Sequence, residues 1–323
     1  MRKYFALIAI IGLVCSAAYF MACNNKKSEP KADNKEDSAK KVLARGEYLV
    51  LHVTPCLDCH SKRDFSKFSG PIMPGSEGMG GYLFDKKLAG LPGNIYAKNI
   101  TPDEETGIGT WTDDELYRAI TKGINKKGDT LFPIMPYANF SHMAKSDIMS
   151  IIAYIRTLKP IKNKVPDRQL FIPVSMAYPV PAIQPSQDGN TIPPESDAVH
   201  YGQYLVNAAA CFDCHTPMNE KGYMMDRMFS GGMRFDAGSF VVNTANITPD
   251  SATGIGNWNE AAFLAKFTQY REEKAYNYDP GKQNSYMPLT MYAGMTDGDL
   301  KAIYAYLRSL KPITNKVEKW PAK

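Results

Sequence analysis

The sequence predicts an all-α fold: two tandem copies of one small helical domain, joined by a proline-rich linker. Three observations carry that expectation. A series of motifs recurs about 150 residues apart, the mark of a duplicated unit. Near the end of each copy apolar residues recur at helical spacing: Ile148, Ile151, Ile152 and Ile155 in the first, Leu300, Ile303, Tyr304 and Leu307 in the second. No convincing run alternates apolar and polar residues as a half-buried strand would.

The 323 residues begin with Met1-Arg2-Lys3 and continue without a charge from Tyr4 to Ala22. This is the pattern of an export signal over residues 1–22. Phe20-Met21-Ala22-Cys23 has the form of a loose lipobox and makes Cys23 the expected site of lipidation; an uncleaved N-terminal anchor is the alternative. Both readings put the protein in the periplasm or on the outer face of the cell membrane. Residues 23–41, rich in Lys, Asp, Glu, Asn and Ser, read as a flexible tether.

Domain 1 is expected over residues 42–160 and domain 2 over 196–317, with a short tail at 318–323. The linker, 161–195, carries Pro166, Pro173, Pro179, Pro181, Pro185, Pro193 and Pro194, which disfavours helix. Its apolar residues, among them Leu170, Phe171 and Met176, suggest that it packs along a domain. Thr112-Asp113-Asp114-Glu115 is a capping box for a helix reaching about Lys122, with Gly123 at its end, and Asn259 stands at the equivalent cap. The last helices are expected from about Ser146 to Leu158 and from Thr296 to Leu310, each followed by Lys-Pro.

The formal charge is +5, but the first 41 residues alone hold eight Lys and Arg against four Asp and Glu. The remainder is nearly balanced, so a nucleic-acid partner is not expected. A mean hydropathy of −0.33 excludes a multi-span membrane protein.

Chemistry is concentrated in Cys56-Leu57-Asp58-Cys59-His60 and Cys211-Phe212-Asp213-Cys214-His215. The C-x-x-C-H pattern is that of covalent haem c attachment: two thiols on one turn add to two vinyl groups, and the adjacent histidine ligates the iron. Two haems c are therefore expected. The alternative is one zinc held by Cys56, Cys59, Cys211 and Cys214. Met135-Pro136 and Met287-Pro288 recur at similar distances after the histidines, which makes Met135 and Met287 the candidate distal ligands. Met143 and Met295 also recur but read as core; Met291 is a weak rival to Met287. His52, His142 and His200 have no histidine partner in the other copy and are not favoured as ligands. Trp111 and Trp258, with Asn99 and Asn246, are candidates for hydrogen bonds to haem propionates, or else core and loop residues.

The series C-x-x-C-H, Asn99-Ile100-Thr101-Pro102-Asp103, Thr106-Gly107-Ile108-Gly109, Met-Pro and Ala153-Tyr154 to Pro160, with its counterparts in the second copy, resembles class I cytochrome c domains. In particular it resembles the cytochrome subunits of membrane-bound alcohol, aldehyde and gluconate dehydrogenases. That resemblance implies an all-helical cytochrome c fold, single-electron transfer, and a dehydrogenase, cytochrome or oxidase as redox partner. It also implies His60 with Met135, and His215 with Met287, as axial ligand pairs. Such subunits usually carry three haem domains and a C-terminal anchor, whereas two are expected here. An electron carrier rather than an enzyme is the leading reading. A dihaem peroxidase or other small-molecule oxidoreductase, with one open or displaceable position at iron, is the alternative.

Overall fold

The computed structural model describes residues 32–177 and 190–322; the stretch 1–22 expected as an export signal, Cys23 and the middle of the linker lie outside them. In chain order, α1 (Ala32–Tyr48) runs into one wide π-type turn, Leu49–Val53, and then α2 (Cys56–His60). β1 (Leu83–Phe84), α3 (Lys86–Ala89) and β2 (Gly93–Tyr96) precede α4 (Asp113–Lys122), α5 (Tyr137–Phe140) and α6 (Lys145–Ile155). β3 (Gln169–Leu170) and α7 (Val174–Ala177) fall in the linker. Next come α8 (Ala198–Ala208), α9 (Cys211–His215), β4 (Met218–Asn219), β5 (Gly222–Tyr223), β6 (Arg234–Asp236) and β7 (Val241–Asn243). α10 (Glu260–Thr268), α11 (Leu289–Tyr292) and α12 (Asp297–Ser309) complete the series.

Three of the longer helices start at the caps the sequence announces. Thr112 Oγ1 accepts from Glu115 N and the Glu115 carboxylate accepts from Thr112 N, closing the capping box of α4; Gly123 ends it in the left-handed conformation. Asn259 and Thr296 cap α10 and α12 through their side chains. Two expectations need correction. The fold is helix-rich but not purely α: β1, β2 and β3 form a small antiparallel sheet, and β4–β5 and β6–β7 form two-stranded ribbons. Strands of two to four residues are too short to display an alternating pattern. Residues 32–41, within the stretch 23–41 expected as a flexible tether, are helical. Their Ala and Lys favour helix, and the Glu36–Lys40 pair at 2.9 Å is a favourable i, i+4 contact.

From Val42 onward the described residues form one compact unit. The main apolar cluster draws on both copies, bringing Leu49, Val50, Ile148 and Ile152 together with Leu205, Val206, Leu300 and Ile303. A second cluster joins Phe84, Leu88, Ile95 and Phe132 to Phe235, Phe240 and Val242. Glycines set the helix crossings. A Cβ on Gly46 would lie 1.9 Å from Ser150 O on α6, and one on Gly202 would lie 1.9 Å from Ala302 O on α12. Backbone thus rests directly on backbone at equivalent places.

Buried carboxylates tie the copies reciprocally. Asp147 takes a two-pronged ion pair from Arg45 (3.0 and 2.8 Å) and a hydrogen bond from Tyr204 of the second copy (2.7 Å). Asp299 accepts from Tyr201 at 3.0 Å and, across the copies, from Tyr48. Of the linker's apolar residues, Leu170 pairs with Gly93 in the sheet, but Phe171 and Met176 are largely exposed. The segment is held instead by polar contacts such as Lys98 Nζ to the Pro166 carbonyl at 2.8 Å.

Candidate haem-binding sites

Each cysteine pair lies on a single short helix that follows the N-terminal helix of its copy. Before α9, Ala210 adopts a left-handed conformation (φ 52°), unusual for a residue with a Cβ, and so turns the chain sharply into Cys211. None of the four cysteines is in a disulfide. Burial pushes the Cys56 thiol up to about 11. Burial, with Asp213 adding to it, pushes Cys211 and Cys214 up to about 12, and burial with Asp58 raises Cys59 strongly. Among the described residues no three His, Cys, Asp or Glu converge on one point, so the zinc alternative has no tetrahedral donor set.

The two histidines are oriented identically. Nδ1–H of His60 donates to the Lys98 carbonyl at 2.6 Å, and Nδ1–H of His215 donates to the Ala245 carbonyl at 2.7 Å. A carbonyl can only accept, so this contact fixes the tautomer and leaves Nε2 with its lone pair. Burial lowers the pKa of both rings, with the carbonyl contact opposing, so both are held neutral as ligation requires.

Met135 and Met287 are half-buried against the same apolar cluster as Cys56 and Cys211, whereas Met143, Met291 and Met295 are core residues. His52 lies over Gly294, with Nδ1 3.3 Å from the Met291 carbonyl. This explains why no histidine stands there in the second copy. His200 is exposed and paired with Asp197 at 2.7 Å.

Asn99 and Asn246 are fully occupied by protein. The Nδ2 of Asn99 donates to Thr106 Oγ1 (3.1 Å) and the Ile161 carbonyl (2.7 Å), while its Oδ1 accepts from Thr101 N and Oγ1. Asn246 repeats the pattern with Thr253, Ile313 and Thr248. Neither amide keeps a spare hydrogen for a propionate; these residues pin the N-I-T-P-D loop to the chain after the last helix. Trp111 packs on the core and Trp258 is 37% exposed. Among the described residues neither indole N–H has a protein acceptor.

Contacts between the copies were not legible in sequence. Asp58 pairs with Arg63 at 3.1 Å, and Arg63 donates to the Tyr286 carbonyl, beside Met287, at 3.1 Å. Asn139, in α5 just after Met135-Pro136, donates to Asp213 of the other motif at 2.7 Å. Cys59 and Cys214 both pack against the second apolar cluster. The residues fit covalent haem c, with paired neutral thiols on one turn, a pre-oriented imidazole and a thioether facing the same apolar cluster.

Residues 199–311 match the family model described as cytochrome c. The chain carries a cytochrome c domain. It is 30% identical, over 87% of its length, to the cytochrome c subunit of a quinone-type alcohol dehydrogenase from Gluconobacter oxydans, of which it covers 57%. It is 29% identical, over 86% of its length, to the gluconate 2-dehydrogenase cytochrome c subunit of Pantoea cypripedii, covering 61% of that protein. A dihaem c-type cytochrome of Cereibacter sphaeroides is 26% identical over 84% of the chain and 86% of the relative. The chain thus spans less than two thirds of the dehydrogenase subunits it resembles. A cytochrome c domain implies covalently bound haem c, whose chemistry is reversible one-electron exchange at iron.

Proposed function

We propose that this cytochrome c carries single electrons through two haems, one held by Cys56, Cys59, His60 and Met135, the other by Cys211, Cys214, His215 and Met287. The observation that carries this reading is the duplicated histidine arrangement: each motif's imidazole is locked by a backbone carbonyl with Nε2 left to coordinate. Met135 and Met287 would each supply a thioether to a haem iron, which raises its potential; with both protein ligands in place the chain would act as a carrier. Both second cysteines, Cys59 and Cys214, border one apolar cluster. That favours passage between the sites within a single molecule, and the low dielectric limits reorganisation by water.

The donor in this reading is a dehydrogenase, as the names of the relatives suggest, or a quinol-linked enzyme, and the acceptor is a cytochrome or oxidase. Export with lipid attachment at Cys23 places the exchange on the outer face of the cell membrane. The test is the full-length chain matured in an exporting, haem-attaching host. Expected are two covalent haems by mass and a far-red sulfur-to-iron band with the intensity of two methionine sites. One haem, or a high-spin iron with peroxide turnover, would overturn the proposal. Cys23→Ser is expected to move the protein from the membrane to the soluble fraction; unchanged membrane retention would refute lipid attachment at Cys23.

A further inference from the structure

We infer that Ser69 is a positioning residue that holds Met287 in place from across the duplication. The inference rests on Met287 being an axial ligand, as proposed above. Ser69 is wholly buried and sits at φ 63°, a left-handed conformation that a residue with a Cβ adopts only when its surroundings demand it. What they demand is visible in its bonds. Ser69 Oγ donates to the Met287 carbonyl at 2.6 Å and accepts from Leu289 N at 2.8 Å. One hydroxyl therefore spans Pro288 and fixes the backbone on both sides of the Met-Pro pair.

The clamp is itself braced. Ser69 N donates to Asn284 Oδ1 at 2.8 Å, and Asn284 Nδ2 donates back to the Phe65 and Lys67 carbonyls at 3.0 and 3.2 Å. Asn284 is wholly buried, and its carbonyl accepts from Trp320 Nε1 at 2.9 Å. Arg63 donates to the Ser69 and Gly70 carbonyls at 2.7 and 2.9 Å while pairing with Asp58, inside the first cysteine motif. A continuous run of hydrogen bonds thus leads from Cys56–His60 to Met287.

Among the described residues Met135 has no equivalent. Its carbonyl accepts from Tyr137 N at 2.7 Å and its N–H reaches Phe132 O at 3.1 Å, both within the first copy; Leu289 N to Met287 O at 2.8 Å is the counterpart of the first. The difference has a sequence origin. Gly80 follows His60 by 20 residues, whereas Gly231 follows His215 by 16, though each glycine N–H bonds its histidine carbonyl at 2.7 Å. Ser69 lies within the longer first-copy loop. The two iron sites are therefore not equivalent: the second borrows its distal support from the first copy.

The test uses the full-length, haem-loaded protein and the variants Ser69→Gly, Ser69→Ala and Met287→Leu. Glycine suits φ 63° and removes only the hydroxymethyl group, so it separates the hydrogen bonds from backbone strain. Expected for both Ser69 variants are unchanged covalent haem content, loss of part of the far-red sulfur-to-iron band, and a lowered reduction potential at one haem with the other unmoved. Unchanged band and potentials in Ser69→Gly would overturn the inference, even if Ser69→Ala is impaired, because strain alone would then explain the latter. Met287→Leu separates this failure from failure of the ligand assignment. It is expected to lose the whole contribution of one site, and if it leaves the band intact Met287 is not a ligand.

Discussion

Tyr204 reaches across the duplication to a buried carboxylate, and the chemistry of that contact can be measured. Its hydroxyl donates to Asp147 at 2.7 Å and accepts from Ala144 N at 3.2 Å. Tyr204→Phe leaves both partners short of a bond, at an expected cost of about 1–3 kcal/mol, read from denaturant unfolding. Burial first, and the Asp147 charge second, raise the Tyr204 pKa above the ordinary value of 10.0. Burial and Asp299 do the same for Tyr201. In the unfolded chain these phenols ionise near pH 10, while in the folded protein they keep their protons. Their stabilisation is complete below pH 10 and is lost as pH rises beyond it, at about 1.4 kcal/mol per pH unit for each tyrosine. The fall in stability between pH 10 and 11 is therefore expected to be shallower in Tyr204→Phe than in the parent; equal slopes would refute the assignment.

At the scale of elements, the helix pairs depend on glycine at the crossing. Gly202→Ala would drive a methyl group into the Ala302 carbonyl, so α8 must move off α12. The expected loss is about 1–3 kcal/mol, as for other overpacked contacts, and Gly46→Ala should behave alike because it faces Ser150 O in the same way. Thermal melts of the two variants check this, and a parent-like Tm in either would refute the close approach. The α4 capping box contributes less: Thr112→Ala is expected to cost about 1 kcal/mol. These elements were readable because their causes are local. Thr112 with Glu115, Asn259 and Gly123 act within one turn of chain, and each appears where its spacing places it.

For the whole molecule the consequence of the shared core is cooperativity. Residues of both copies fill one apolar cluster, and Asp147 and Asp299 each accept a tyrosine from the opposite copy. Each distal-loop helix also meets the other copy's N-terminal segment: α5 meets α8, and α11 meets the turn Leu49–Val53. Calorimetry of the haem-loaded chain is expected to give one unfolding transition, because opening either copy exposes apolar surface of the other. Two resolved transitions would show that the copies fold as separate domains.

By itself the sequence determined the duplication, the two C-x-x-C-H motifs, the paired Met-Pro sites and the main helices, since each depends on residues close together in the chain. Tertiary structure decided how the copies use each other. Asn99 and Asn246, expected near propionates, bond instead to Ile161 and Ile313, beyond the last helix of each copy. Ser69 carries no motif, yet its hydroxyl lies 2.6 Å from the carbonyl of Met287, a residue 218 positions away. Such a contact exists only because the shared apolar core presses two distant loops together. Propensity, capping and spacing act over a few residues, so no local pattern in the chain can announce it.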